Sequence, residues 1–394
     1  MKKLALLIAI IIINFTANSQ ERVITTGVPF LLVAADARSA ALGDQGVATA
    51  PDAFSQQWNP SKFAFINKPS GFTVSYTPYL TSLVNDISLG QVSYYNRFQE
   101  RMACAGSLRY FGLGEINLTN EAGDPIGIAA PNEFGLDLSY SLKLSEKFAM
   151  GVGARYVRSS LRIPNTDNSG SASTFAVDVS GFFQGEETAY NDFNGRLRMG
   201  FNFQNLGPKI NYDNSVIAEK TANFLPSNLK LGAGYDFAFD EYSKVSLNLE
   251  IAKLLVPTPQ AITPIDFNND GTITPQEELD SRKKINDDYK SISWTSGIFK
   301  SFNDAPGGFS EELKELTYSI GTEYTYQDSF ALRLGYFNED KNKGARNFFA
   351  LGAGFKYTSI KIDVSYLFNA SKIKSPLENT LRFSLSIGLG DDYE

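Results

Sequence analysis

From about Gly71 onwards, apolar and polar residues alternate with a period of two. In residues 229–239, Leu229, Leu231, Ala233, Tyr235, Phe237 and Phe239 share one face, and Lys230, Gly232, Gly234, Asp236 and Ala238 share the other. Val245, Leu247, Leu249 and Ile251 then oppose Lys244, Ser246, Asn248 and Glu250. Phe330, Leu332, Leu334 and Tyr336 oppose Ala331, Arg333 and Gly335; Leu381, Phe383, Leu385, Ile387 and Leu389 oppose Arg382, Ser384, Ser386 and Gly388. Strict alternation marks strands with one apolar and one polar face. Fourteen such segments lie near 71–80, 87–97, 101–112, 133–143, 147–160, 172–184, 195–206, 227–240, 243–254, 313–326, 329–339, 345–358, 360–368 and 379–390. They exceed the about 5–6 residues of an average soluble strand and suit the about 9–11 of a tilted membrane strand.

The connections alternate as well. Gln99-Glu100, Ser145-Glu146, Glu241-Tyr242, Gln327-Asp328 and Ser359 mark tight even-numbered turns, with one longer exception around Gly185 to Asn194. The odd-numbered connections include Leu113 to Asn132, Gly207 to Pro226 and Leu255 to Glu312. Short periplasmic turns and long outer loops are the habit of outer-membrane barrels, whose strand number is even in most bacterial cases. The pattern therefore predicts an all-β membrane protein over residues 70–394: a 14-stranded antiparallel outer-membrane β-barrel, its apolar half turned to lipid. Lys230, Asp236, Glu250, Arg333 and Arg382 then face the lumen, where they fill and brace the interior.

Residues before the barrel break the alternation. Lys2-Lys3, the apolar run Leu4 to Ile13 and the small residues Ala17-Asn18-Ser19 read as an export signal over residues 1–19, with Gln20 as the mature start. Residues 20–69 are neither strand-like nor disordered in composition. Ala34 to Gly43 is rich in small residues and predicts a short helix that Gly43 and Gly46 break. Asp52 caps a second turn running to Trp58, which Asn59-Pro60 ends. Some fifty residues of this kind need somewhere to pack, and the lumen is the natural place for such a hatch.

Composition narrows the function. The 394 residues carry a net charge of −7 and a pI of about 5.0, which excludes a nucleic-acid binder. No histidine is present, which removes Ser-His chemistry and His-ligated zinc. The one cysteine, Cys104, closes no internal disulfide. Aromatic residues reach 13%, as membrane interfaces favour.

The run Leu42 to Ala53, followed by Trp58-Asn59-Pro60, resembles the N-terminal hatch of FadL-like outer-membrane proteins, which are 14-stranded barrels. Within that superfamily the chain is most similar to the PorV family, outer-membrane subunits of the type IX secretion system of Bacteroidetes-type bacteria. Gly27 to Leu31, Lys253 to Pro259, Gly297 to Phe302, Asp304 to Phe309 and Asn379 to Ser384 carry that likeness. It implies a non-enzymatic protein of the cell outer membrane whose partners are a translocon barrel, secreted cargo with C-terminal targeting domains, and a sortase-like attachment complex at the cell surface. The alternatives are a FadL-type channel for hydrophobic small molecules and a lipid hydrolase. The missing histidine argues against the last.

The longest connection, 255–312, holds Asp266-Phe267-Asn268-Asn269-Asp270-Gly271-Thr272-Ile273-Thr274-Pro275-Gln276-Glu277. This matches the twelve-residue EF-hand loop, with Asp266, Asn268, Asp270, the Thr272 carbonyl and Glu277 as Ca2+ ligands. Thr274-Pro275-Gln276-Glu277 is also a helix-capping box, and the two readings coexist. Pro257, Pro259 and Pro264 forbid the helix that precedes a normal EF-hand. Further on, Trp294, Ile298, Phe299 and Phe302 form an apolar cluster at near-helical spacing. It is either a partner-binding patch or a cap packed over the barrel mouth.

Overall fold

A computed structural model describes residues 23–80, 84, 86–120, 122–161, 171–212, 222–370 and 379–392. The expected export signal, residues 1–19, lies outside them. Fourteen long strands form the wall: β1 (Ser70–Pro78), β2 (Ile87–Gln99), β3 (Met102–Leu113), β4 (Asn132–Ser145), β5 (Phe148–Ser160), β6 (Ala172–Gln184), β7 (Asn194–Leu206), β8 (Asn228–Ala238), β9 (Ser243–Leu254), β10 (Leu316–Tyr326), β11 (Phe330–Asn338), β12 (Asn347–Tyr357), β13 (Ile360–Asn369) and β14 (Leu381–Leu389). Each pairs antiparallel with its sequence neighbours. The ring closes where β14 meets β1, from Ser70↔Leu389 to Tyr76↔Phe383. Closure leaves no open edge, so every wall strand has a partner on both sides.

The period-two pattern becomes an inside and an outside. Phe72, Val74 and Tyr76 of β1 point outwards and are exposed, whereas Thr73, Ser75 and Thr77 point inwards and are buried. Leu247, Leu249 and Ile251 of β9 are exposed, with Ser246, Asn248 and Glu250 buried. Such an inverted surface is stable only against lipid. Cys104 faces outwards on β3.

Two connections differ from expectation. Between β3 and β4, Ile116–Thr119 and Pro125–Ala129 pair as a small antiparallel ladder, where only a loop was expected. The long even-numbered turn holds a two-residue strand, Thr188–Ala189, that pairs with Gly195 and Asn194.

The N-terminal segment runs through the lumen. It contains a 3-10 turn (Pro29–Leu32), α1 (Ala37–Ala41), α2 (Ser55–Trp58) and a second 3-10 turn (Pro60–Phe65). The first turn lies at the long-loop end, where Phe30 and Leu31 pack with Leu89, Phe111, Val157 and Ile210. The second lies towards the other end, where Phe63 packs with Tyr95 and Ala103. Asp36 caps α1 by accepting the Ser39 N–H at 2.7 Å. Asp52 caps the turn that leads into α2, and α2 itself begins later than expected. Phe54 occupies the N-cap position of α2, and Asp52 lies two residues earlier, accepting the Phe54 N–H and the Ser55 hydroxyl. Asn59 both ends α2 and caps the next turn, because Pro60 fits a first helical position.

Candidate functional site: the filled lumen and the long outer loop

The hatch is joined to the wall by charge. Arg38 of α1 donates through Nε and Nη2 to the two Glu323 oxygens at 3.0 and 2.8 Å, and through Nη1 to Asp52 at 2.6 Å. Glu323 also accepts Arg333 Nε at 2.5 Å, and Arg333 lies 2.8 Å from Asp363. Arg38 and Asp52 of the hatch and three charged side chains of the wall, Glu323, Arg333 and Asp363, thus form one network. Glu250 accepts the N–H groups of Gly46 and Val47 at 2.8 and 2.9 Å. Arg198 holds Asp236 and donates to the Ala48 carbonyl at 2.6 Å. Asn59 donates to the carbonyls of Val47 and Gly181 at 2.8 and 3.0 Å, bridging hatch and wall. Trp58 is 1% exposed, its Nε1 donates to Asp36 at 2.8 Å, and Lys230 sits 4.3 Å above its ring. Arg382 reaches Asp44 at 3.1 Å.

Sequence reasoning placed the wall charges in the lumen but missed a further signal. The inward face of the wall carries glycine where the hatch backbone touches it. A Cβ at Gly321 would meet the Leu42 carbonyl oxygen at 2.5 Å, and one at Gly335 would overlap the backbone of Leu42 and Gly43. Gly43 itself turns with φ +87 against Tyr336. An inward glycine repeated on adjacent strands is legible as a place where another backbone approaches.

The long connection between β9 and β10 folds into three helices: α3 (Pro275–Ser291), α4 (Trp294–Lys300) and α5 (Phe309–Lys314). Thr274 and Glu277 make the expected capping box. The EF-hand-like residues keep their order but do not converge: among the described residues, no three acidic or thiol side chains gather to hold an ion. Asp266 accepts the Gly271 N–H at 2.8 Å, and Asp270 accepts Thr272. Glu277 spends one oxygen on the Phe267 and Asn268 N–H groups and the other on Thr274. The Thr274 bond, then those from Asn268 and Phe267, hold the Glu277 carboxyl below its ordinary range. One observation fits a cation: Asp266 Oδ1 is buried with no hydrogen-bond partner.

The apolar cluster divides. Phe299 and Phe302 are exposed, Phe299 to 79%, while Trp294 and Ile298 are half-buried. Phe302 lies beyond the end of α4, so the four do not form one helical face. Sequence reasoning missed Phe309, 75% exposed, and Leu313, both on α5.

Beneath the helices, buried ion pairs anchor the loop. Lys253 bonds Glu312 and Glu315 at 2.9 and 2.7 Å. Lys343 bonds Glu311 and Glu315 at 2.5 and 3.1 Å, and Thr258 donates to Glu315 at 2.6 Å. A cleft of about 1030 Å³ opens between α3, α4 and the segment around Thr258. Asp304 lines it. Burial pushes its carboxyl up to about 6; the Thr258 N–H pulls the other way, and the charges of Glu312 and Glu315 add to the rise.

A model of the type IX secretion system protein PorV matches residues 16–261. The chain belongs to the PorV family. It is therefore an outer-membrane component of the type IX secretion system, as its barrel requires of its location. No curated sequence matches significantly. The P. putida toluene transporter TodX superposes with a TM-score of 0.51 at 9% identity, over 91% of this chain and 99% of that one. The deltaS2S3 mutant of the TodX monoaromatic hydrocarbon channel gives 0.51 at 12% identity, over 90% and 99%. A Pseudomonas aeruginosa FadL homologue gives 0.46 at 12% identity, over 91% and 99%. At such identities the TodX likenesses show the barrel fold alone.

Proposed function

We propose that the chain is a non-enzymatic docking subunit of the outer membrane in Bacteroidetes-type Gram-negative bacteria. It binds the translocon barrel, receives cargo by its C-terminal targeting domain and delivers it to the sortase-like attachment complex at the cell surface. The observation that carries this reading is the contrast between a lumen occupied by residues 27–66 and an outer loop that holds Phe299, Phe302, Phe309 and Leu313 in the open. Exposed apolar side chains rimmed by charge favour protein contact. Affinity capture of the tagged chain from outer membranes tests it. The expected result is recovery of a very large β-barrel protein together with exported cargo. Recovery of the chain alone from cells secreting normally sinks the reading. The FadL-type channel has the fold in its favour, and loss of hydrophobic-compound uptake on deletion, with cargo display intact, would establish it instead.

The outer loop takes Ca2+ in this proposal. Asp266, Asn268, Asp270, the Thr272 carbonyl and Glu277 supply oxygen ligands of the right hardness, and the ion would draw them together at the start of α3. A single exposed loop binds on the scale of extracellular modules, Kd about 10⁻⁴–10⁻³ M. Calorimetric titration with CaCl2 should give heat in the parent chain and none in Asp266→Ala. Equal heats in both remove the ion from the account.

A further inference from the structure

The hatch follows a path that merely filling the lumen does not require. The Ala35 carbonyl accepts the Thr77 hydroxyl of β1 at 3.2 Å, and two residues later the Ala37 N–H donates to the Ser384 hydroxyl of β14 at 2.7 Å. β1 and β14 are the two ends of the wall, and they meet at the seam that closes the ring. Arg382, also on β14, reaches Asp44 at 3.1 Å. Thr77, Ser384 and Arg382 are all buried. From the seam the hatch crosses the strands in descending order. A Cβ on Gly335 of β11 would overlap Leu42 and Gly43. Gly46 and Val47 bond Glu250 of β9, and a Cβ on Gly200 of β7 would meet the Val47 carbonyl. Asn59 donates to the Gly181 carbonyl of β6, a Cβ on Gly151 of β5 would meet the Ser61 nitrogen at 2.7 Å, and Phe63 stacks on Tyr95 of β2. The hatch thus passes almost once round the inner wall, starting at the seam and ending beside it.

The seam is the one pairing of the wall that joins strands from opposite ends of the chain. Bringing such distant segments together costs the most loop-closure entropy. A segment that binds both strands raises their effective concentration for each other. The hatch is also tied at both mouths. Its Gly27 N–H bonds the Phe224 carbonyl at the long-loop end, and Arg97 donates to the Ile66 carbonyl at the other, both at 2.8 Å. A chain held in this way enters a closed ring only by threading, which folds avoid. It is enclosed without threading when the strands close round it. We propose that the hatch is the template on which the barrel closes: residues 35–48 seat against the wall first and hold β14 beside β1. The inward glycines fit this order, since each leaves room for a backbone laid down on its strand.

The test follows refolding of the full chain from urea into detergent micelles. Ring closure is read from the mobility of unheated samples on SDS gels, and the order of events from pulsed hydrogen exchange. In the parent chain, amides of residues 37–48 should be protected before those of β1 and β14 or together with them. Thr77→Val with Ser384→Ala removes both ties to the seam and leaves the backbone ladder of β1 and β14 intact. It should slow closure at least about fivefold and change the opening rate of the closed barrel by less than about twofold. Protection of the seam ahead of the hatch overturns the proposal. So does a double variant that closes at the parent rate and only opens faster, which would place the ties after closure. If the double variant does not close at all, the order of protection in the parent chain still decides.

Discussion

The lumen and the outer loop are built from the same materials and use them in opposite ways. In the lumen, Arg38 is answered by Glu323 and Asp52, Arg198 by Asp236, and Trp58 is enclosed by hatch and wall. In the loop, ion pairs of equal quality hold only the base, where Lys253 and Lys343 meet Glu311, Glu312 and Glu315. Above that base, Phe299 and Phe309 stand in the open and Asp304 keeps an empty oxygen. Charge that is matched inside a fold confers a single geometry. Apolar surface that is left open on a firm base is available to something else. The difference fits a hatch that stabilises and, under the proposed function, a loop that recognises, and it can be broken by substitution.

The largest effect is expected at Glu323. Glu323→Ala leaves Arg38 and Arg333 facing each other without their shared acid, in a region where both are buried. Removing one partner of a buried network costs about 3–5 kcal/mol, because the remaining charge stays desolvated. Denaturant unfolding in detergent should show the loss, and limited proteolysis should reach the hatch first. A change under about 0.5 kcal/mol, the range of ordinary surface substitutions, would show that the hatch is not held by this network. Gly335→Ala comes next. Its methyl overlaps the backbone of Leu42 and Gly43, and overpacking of this kind costs about 1–3 kcal/mol. Hydrogen exchange at α1 should rise while exchange in the wall stays slow. Unchanged exchange at α1 would mean that wall and hatch part easily.

The two regions also differ in how far the chain announces them. Alternation such as Leu247-Asn248-Leu249-Glu250 has only one stable solution in a closed wall, so strands, inward charges and loop lengths follow from local pattern. The hatch was legible as a segment in need of cover, through Gly43, Gly46, Trp58 and Asn59-Pro60. Its partners were not legible, because Arg38 meets Glu323 across 285 positions of chain. The same limit hid half of what Asp52 does: local propensity sees the capping oxygen, whereas the folded chain draws the other oxygen to Arg38. In the loop, Thr274 and Glu277 were readable because a capping box closes within four residues. The division of the apolar cluster was not, since α4 stops at Lys300 and leaves Phe302 outside its periodicity. Phe309 escaped notice beside Pro306-Gly307-Gly308, which reads as a break even though Gly308 itself begins α5.

The smallest effect on stability should come from the loop surface, and there it is most informative. Phe299→Ser with Phe309→Ser removes two side chains that are 79% and 75% exposed, so little packing is lost. Unfolding should shift by less than about 0.5 kcal/mol per site. If these side chains serve docking, capture of the translocon or cargo should fall steeply all the same, because a few large aromatic side chains carry most of an interface's energy. A variant that folds like the parent and captures like the parent would return the phenylalanines to ordinary surface. A variant that unfolds would instead place them in a structural role over the barrel mouth. Only stability retained with capture lost keeps the division between a lumen that holds itself together and a loop that holds something else.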